Sequence, residues 1–111
     1  MKTSKNERPV GGMISAAVAA TFSVPVRDVM ANSRRSAPVV LARWSAMYLA
    51  HVELGMSFTD VGRAFGRNRT TAARACELIE ERREEPDLDA ALNKLAHAVR
   101  RDFGKTAAVA R

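Results

Sequence analysis

The sequence predicts an all-α protein, a compact bundle of about five to six helices that contains a helix-turn-helix. Three observations lead to this fold class. Apolar residues recur at helical spacing through most of the chain. The strict apolar–polar alternation of a half-buried strand does not occur in it. Proline, glycine and serine separate the periodic segments, where such residues are typical of helix ends and tight turns.

Composition along the chain divides it into four parts. Residues 1–11 are polar, and we expect them to form a disordered N-terminal arm. Residues 12–85 carry the helical periodicity of the expected helix-turn-helix domain. Residues 86–104 are expected to form a C-terminal helix that either packs on this domain or binds a partner, and residues 105–111 to form a frayed tail.

The first three helices follow from their faces and their caps. Ile14 and Val18 share one face of the first helix, and Ser23 is the expected N-cap of a short second helix. Ser36 is the expected N-cap of the third helix, which ends where Gly55 can adopt a positive φ. The core-facing stripe of this third helix has i, i+4, i+7, i+8 spacing and consists of Val40, Trp44, Met47 and Tyr48.

Residues 57–79 combine the parts of a helix-turn-helix. Ser57 begins a helix of about eight residues, and a tight turn leads to a longer helix that runs to about residue 85. Gly62 is small where the helices approach closely, and Gly66 lets the turn take a left-handed conformation. The expected packing residues of the two helices are Val61, Phe65, Ala73, Cys76 and Ile79.

A last helix follows the helix-turn-helix. Pro86 ends the long helix, and Asp87 or Asp89 is the expected N-cap of the next one. Its apolar face consists of Leu88, Leu92, Leu95 and Val99.

The outward N-terminal end of the second helix of the helix-turn-helix carries side chains suited to base recognition. These are Asn68, Arg69, Thr70, Thr71 and Arg74. Arginine can pair bidentately with guanine, asparagine with adenine, and a threonine methyl can meet the thymine methyl. A recognition helix presents its N-terminal residues to base edges in the major groove. Two plainer interpretations stay open: Thr70 and Thr71 can be simple caps, and helix-turn-helix units also serve as protein–protein scaffolds.

Positive and negative charges occupy different parts of the sequence. The chain has a formal net charge of +6 and a pI of about 10.4, and a pI above about 9 is one sign of a nucleic-acid partner. Residues 27–74 contain eight arginines against three acidic residues, whereas residues 77–89 contain seven acidic residues against two arginines. The positive block coincides with the helix-turn-helix. The acidic block is expected to face away from DNA, or to be a solvated helix end.

The sequence offers no residue set for catalysis or for holding a metal. Cys76 is the only cysteine, which indicates a reducing compartment, and His51 and His97 are too isolated to suggest a zinc site. We therefore expect a protein that is not an enzyme, with no catalytic residue, no metal and no cofactor. The apolar stretches fall short of the roughly 18 residues of a membrane span, so the expected location is the cytoplasm, in association with the nucleoid.

These motifs resemble the C-terminal DNA-binding domain, domain IV, of the bacterial replication initiator DnaA. The signature of that domain reads close to F-G-G-R-D-H-T-T-V, followed by A-C-x-x-I-E. Residues 65–72 here read F-G-R-N-R-T-T-A, and residues 75–80 read A-C-E-L-I-E. The basic loop Arg34-Arg35-Ser36, the helical residues 46–50 and the segment 26–29 also fit, so the resemblance covers about residues 14–85.

The resemblance implies a role for each matching residue. Residues 68–71 would read bases in the major groove, and Arg35, or else Arg34, would enter the adjacent minor groove. Arg43, Arg67 and Ser57 would contact DNA phosphates.

The departures from the family signature affect base preference most. One glycine of the turn is missing, Asn68 replaces aspartate, and Arg69 replaces histidine. Aspartate can accept a hydrogen bond from cytosine, whereas the asparagine at position 68 is suited to pair with adenine. We therefore expect a base preference other than that of the initiator's own box.

The family member also carries an ATPase domain, for which we expect no room in these 111 residues. Residues 104–106 read Gly-Lys-Thr, but Val99 stands where a phosphate-binding loop needs its first glycine, so we expect no bound nucleotide.

Three functions follow as hypotheses. The first is a transcription regulator that binds double-stranded DNA beside a sigma-factor-like protein or RNA polymerase, as alphaproteobacterial activators of gene-transfer-agent production do. The second is a replication modulator that competes for initiator boxes, and the third is a protein-interaction adaptor.

Overall fold

The computed structural model of the protein describes residues 2–31 and 36–104, with side chains from residue 10 to 102 outside the gap. The described residues contain helices and connecting turns and no strand, so the predicted all-α class is confirmed. A short π-helical turn, Arg100–Gly104, continues the last helix. The six helices are α1 (Lys2–Phe22), α2 (Val26–Met30), α3 (Ala37–Leu54), α4 (Phe58–Phe65), α5 (Arg69–Arg82) and α6 (Pro86–Val99).

Helix α3 lies at the centre and contacts all five other helices. Its central position explains why its residues from Ser45 to Ala50 are all buried. Of the predicted stripe, Met47 and Tyr48 are buried, whereas Val40 and Trp44 are half-buried. The largest fully buried apolar side chains come from all six helices and are Ile14, Val18, Val29, Met47, Leu49, Val61, Ile79, Leu92 and Val99.

Helix α1 is longer than the sequence indicated. It begins at Lys2, so the prediction of a disordered arm over residues 1–11 is wrong from residue 2 onward. Gly11 explains how α1 docks, because a Cβ atom there would lie 2.6 Å from the carbonyl oxygen of Ala64 in α4. A glycine at this position lets the two helices approach closely, where the sequence pattern had indicated a helix boundary.

Helix caps confirm some of the sequence predictions and correct others. Gly55 and Gly66 end α3 and α4 in the left-handed conformation, as predicted. Ser36 occupies the N-cap position of α3, without a side-chain hydrogen bond. Ser23 does not cap α2, because Pro25 is the N-cap and Ser23 itself takes a φ of 57° in the preceding turn.

The C-terminal helix packs against the rest of the domain. All four predicted apolar residues, Leu88, Leu92, Leu95 and Val99, are buried. The N-cap is Glu85, so neither Asp87 nor Asp89 caps the helix; both lie in its first turn, where a carboxylate favours the helix dipole. Arg100 donates to Glu53 of α3 over 2.6 Å at the far end. The predicted tail over residues 105–111 lies outside the described residues.

Among the described helices, none is both long enough and apolar enough to span a membrane.

Candidate DNA-binding surface

A tight turn joins α4 to α5 and fixes the angle between the two helices. The backbone N–H of Arg67 donates to the carbonyl of Gly62 over 2.7 Å. A Cβ atom on Gly62 would lie 2.5 Å from the carbonyl oxygen of Arg67, so a larger residue would push the turn away. Gly66 has a φ of 69°, which glycine adopts without strain. The close approach predicted at Gly62 and the left-handed turn predicted at Gly66 are both confirmed.

The interior of the helix-turn-helix is apolar and closed. Val61 and Phe65 of α4 are buried, as are Cys76 and Ile79 of α5. Ala73, predicted to face inward, is half-buried, and its neighbours Ala72 and Ala75 take the inner positions instead. The remaining face of α5 is therefore held outward by a packed core, which keeps its N-terminal end in a fixed direction.

Asn68 begins α5 as its N-cap. Its side-chain Oδ1 accepts the backbone N–H of Thr71 over 2.8 Å. The amide oxygen of Asn68 has a second lone pair and its amide nitrogen is not used by the cap, so a contact with adenine stays a prediction. The cap belongs to Asn68, and not to Thr70 or Thr71 as the plainer interpretation of the threonines proposed.

Four predicted reading residues project from the first turns of α5. Arg69, Thr70, Thr71 and Arg74 are all exposed. Arg74 forms an ion pair with Glu77 at 2.8 Å, in which both side chains are more than half exposed. Such a surface pair contributes little to stability, so Arg74 can exchange Glu77 for another anion at small cost. We call residues 68–71 and Arg74 the reading end of α5.

Arg43 does not lie where the sequence analysis placed it. Its side chain is 7% exposed, and it donates from Nε to the carbonyl of Val29 over 3.0 Å and from Nη2 to that of Asp28 over 2.8 Å. The last carbonyls of a helix have no partner within the helix. Arg43 therefore stabilises the end of α2 by donating hydrogen bonds to two of these carbonyls. This position corrects the prediction that Arg43 contacts a phosphate.

Arg67 is also committed to backbone carbonyls. It donates from Nη1 to the carbonyl of Phe65 over 3.2 Å and from Nη2 to that of Ala31. Burial lowers the pKa of its guanidinium, which stays charged because the ordinary value lies far above neutrality. We call Arg43 and Arg67 the arginine clasp, since together they hold the C-terminal end of α2. A phosphate contact by Arg67 stays a prediction.

The predicted phosphate contact of Ser57 and the predicted minor-groove contact of Arg35 or Arg34 both stay predictions. Ser57 Oγ accepts the backbone N–H of Asp60 over 3.0 Å and caps α4. A hydroxyl that accepts one bond still has a proton to donate, so its phosphate contact stays a prediction. Arg34 and Arg35 lie outside the described residues. Ala31 is the last described residue before them. Its carbonyl accepts a hydrogen bond from Arg67 in the turn of the helix-turn-helix.

Sequence reasoning missed a polar cluster between α3, α5 and α6. Tyr48 donates to Glu80 over 3.1 Å, and Arg83 donates to the Tyr48 hydroxyl over 3.1 Å. Arg83 also pairs with Asp89 at 2.7 Å. Burial is the largest cause of the raised pKa of Tyr48, so its hydroxyl stays protonated at neutral pH. No local signal marks this cluster, because Tyr48 and its partner Arg83 are 35 residues apart in the sequence.

A packed helix-turn-helix with an exposed, arginine-bearing N-terminal end on its second helix defines a class of proteins, the helix-turn-helix DNA-binding domains. Comparison with known proteins narrows the class. A family model described as the bacterial DnaA protein helix-turn-helix matches residues 12–79, which is more than half of the chain. The chain therefore belongs to this family, and the resemblance seen in its motifs is confirmed.

The curated relatives that follow are also named DnaA. The chain is 43% identical over 65 residues to chromosomal replication initiator protein DnaA 2 of Chlamydia pneumoniae, a match that covers 59% of this chain and 14% of that protein. It is 39% identical over 71 residues to DnaA 2 of Chlamydia trachomatis serovar D, covering 64% and 15%. The matched segment thus spans about one seventh of each relative's length.

A solved structure agrees with the family assignment. The chain superposes on a replication initiator DnaA bound to AMPPCP and single-stranded DNA with a TM-score of 0.75 and 26% identity. The superposition covers 88% of this chain and 30% of that one.

Within the part of the chain that the structure describes, no three histidine, cysteine or acidic side chains are grouped to hold a metal ion.

Proposed function

We propose that the chain reads a specific sequence in double-stranded DNA with the reading end of α5. One observation carries this proposal: Arg69, Thr70 and Arg74 are exposed at the start of a helix whose opposite face is packed in the core. In this geometry the first turns of the helix face the base edges of the major groove. Arg69 is suited to guanine, and one good bidentate contact contributes about 1–3 kcal/mol of discrimination.

The contacts around the helix would position it on the duplex. Arg67 and Ser57 would reach phosphates at the two sides of the turn, and Arg35 or Arg34 would enter the neighbouring minor groove. The hydrogen bond from Arg67 to Ala31 supports this arrangement, because it holds Ala31, three residues before Arg34 in the sequence, beside the helix-turn-helix. Arg43 has no part in the proposal.

The biological role that we propose is transcription regulation by binding, without catalysis, alongside a sigma-factor-like protein or RNA polymerase. Asn68 and Arg69 support binding sites other than initiator boxes, since they replace the aspartate and histidine of the family signature. A regulator of this kind would act in the nucleoid and would need no nucleotide.

Replication control is the second candidate role. The curated relatives are named as chromosomal replication initiators, and the family model that covers residues 12–79 is that of the DnaA helix-turn-helix. In this role the chain would compete with an initiator for its boxes. The departures at Asn68 and Arg69 weaken this candidate, because they change two of the side chains that would read such a box.

Selection of binding sites from a random duplex library tests both roles. The purified chain would be used at about 150 mM salt, since lower salt favours binding without sequence preference. We expect a defined motif whose genomic positions fall at promoters. A motif that matches initiator boxes and clusters at a replication origin would favour the second candidate, and the absence of any enriched motif would contradict sequence-specific reading.

A further inference from the structure

An open groove lies along α5 directly beside the reading end, with Ala73 as its first lining residue on this helix. It has a volume of about 540 Å³ and is bounded by the C-terminal half of α3, the start of α4 and the middle of α5. Its apolar lining includes Val52, Phe58 and Cys76. Pockets of roughly 300–1,000 Å³ are large enough to hold a group of side chains or a small ligand. This one is open to solvent along its length, which suits a segment of protein.

Two aromatic rings of the groove are held by contacts with their neighbours. The ring of His51 stacks on Phe58 with centroids 4.1 Å apart and an angle of 24° between the planes. His51 Nδ1 donates to the carbonyl of Met56 over 2.7 Å, which favours this orientation of the ring against Phe58. Burial raises the pKa of Cys76 to about 11, which keeps its thiol neutral and apolar. Binding to such a fixed apolar surface requires little ordering of the protein.

The rim of the groove is acidic. Glu77, Glu80 and Glu81 line one side, and the described residues that line the groove include no lysine or arginine. Two of these carboxylates already have contacts, since Glu77 pairs with Arg74 and Glu80 accepts from Tyr48, while Glu81 is exposed. In a chain of net charge +6 this is a local reversal of sign. The groove therefore repels DNA and attracts a cationic segment.

The position of the groove relates it to the proposed DNA contact. Along α5, the lining residues run from Ala73 to Glu81, and Glu81 lies ten residues beyond Thr71, or about 15 Å at 1.5 Å per residue. A protein segment seated in the groove would lie close to the duplex and would not cover Arg69 or Thr70. The two surfaces can therefore be occupied together, as a regulator that acts beside another protein requires.

We propose that this acidic groove binds a basic amphipathic helix of a partner protein. Apolar side chains of that helix would pack on Phe58 and Val52, and its lysines or arginines would pair with Glu77 and Glu81. The inference rests on the proposed regulatory function and names the chemistry of its partner. A second copy of the chain is a poor occupant, because the exposed large apolar side chains of the described residues, Met13, Val26 and Val52, lie on three different helices.

Selection of helical peptides against the whole chain tests this proposal. A displayed library of peptides of about four turns would be enriched on the wild-type chain, and the strongest binders would be synthesised with a fluorescent label. Two groove variants, Val52→Lys and Glu81→Gln, are compared with two matched controls, Val26→Lys and Glu84→Gln. Val26 is as exposed as Val52, at 45% against 48%, and Glu84 is an exposed glutamate outside the groove.

The expected binders carry an apolar stripe at i, i+4 spacing beside lysine or arginine. Their affinity should fall at least about tenfold for Val52→Lys and about threefold for Glu81→Gln, and stay unchanged for both controls. Enrichment without basic residues, equal losses in groove and control variants, or self-association of the chain through the groove would each overturn the proposal. Binding of each variant to the selected DNA duplex is measured in parallel, so failure of DNA reading is distinguished from failure of the groove.

Discussion

Two pairs of arginines in this protein differ in their surroundings: one pair contacts main-chain carbonyls, and the other is exposed to solvent. Arg43 and Arg67 donate to main-chain carbonyls at the end of α2 and in the turn of the helix-turn-helix. Arg69 and Arg74 lie on the first turns of α5 and are exposed. Arg67 and Arg69 are only two residues apart. The difference arises because Arg67 precedes the N-cap, where its side chain reaches back to α2, whereas Arg69 follows the N-cap and points outward.

The comparison shows that arginine content does not measure a DNA-binding surface. Carbonyls at the end of a short helix need donors, and a buried arginine can supply several of them at once. An arginine used in this way stabilises the frame that carries the reading residues. Substitutions should therefore separate the two pairs, with large losses of stability for the clasp and large losses of base discrimination for the reading end.

Arg43→Ala is expected to have the largest effect on stability. It removes a buried donor from the carbonyls of Val29 and Asp28, so we expect the free energy of unfolding to fall by about 3 kcal/mol. Urea unfolding followed by circular dichroism measures this change. Arg43→Lys keeps the charge without the planar fork and should recover only part of the loss. Wild-type stability combined with weaker binding to every DNA sequence would instead restore the phosphate role.

Arg67→Ala should reduce both stability and DNA affinity. We expect a loss of about 1–2 kcal/mol in the free energy of unfolding, because the carbonyls of Phe65 and Ala31 lose a charged donor. Affinity for all duplexes should fall together, by about fivefold, since the turn and Ala31 are no longer held to each other. Arg63→Ala on α4 is the matched control, because it removes an equal charge from an exposed ion pair. Equal effects of the two variants would mean that only charge matters.

Asn68→Ala should cost about 1 kcal/mol of stability through loss of the N-cap of α5. Asn68→Asp keeps a capping oxygen and adds a charge that the helix dipole favours, so it should retain wild-type stability. Thermal unfolding of the two variants separates the cap from any contact with a base. A change in base preference with Asn68→Asp at unchanged stability would show that Asn68 also faces the DNA.

Arg74→Ala is expected to change stability least, by less than about 0.5 kcal/mol, because its pair with Glu77 is exposed. Its effect should appear in DNA binding, which weakens in fluorescence anisotropy titrations. Glu77→Gln is the complementary variant, and we expect it to raise DNA affinity about twofold by releasing Arg74 and removing a like charge from the duplex. A fall in affinity with Glu77→Gln would contradict the placement of Arg74 in the reading end.

Much of the fold could be predicted from local sequence signals. The caps at Ser57, Gly55 and Gly66 were predicted because capping depends on the identity of a few neighbouring residues. The apolar face of α6 followed from its spacing. The start of α1 was missed, because the glycine that looked like a helix boundary is the point where α1 packs on α4.

The exposure of the arginines in the reading end was predicted more accurately than the contacts of the two clasp arginines. Exposure of Arg69 and Arg74 follows from helix periodicity, which the sequence carries. The partners of Arg43 and the Ala31 partner of Arg67 are main-chain carbonyls 14 to 36 residues away, and a main-chain carbonyl is the same for every residue type, so the sequence does not mark it. Asn68 lies between these cases: its place at the start of α5 was predicted, and its use as the N-cap was not.

Affinity for single-base-pair variants of the selected site tests the central claim most directly. The wild-type chain and Arg69→Ala would each be titrated against the selected duplex and against duplexes with one base pair changed at a time. If Arg69 reads a base, the variant loses discrimination at one position, worth about 1–3 kcal/mol, and retains it elsewhere. An equal loss of affinity for every duplex, with discrimination unchanged at all positions, would contradict the claim that the reading end of α5 recognises sequence.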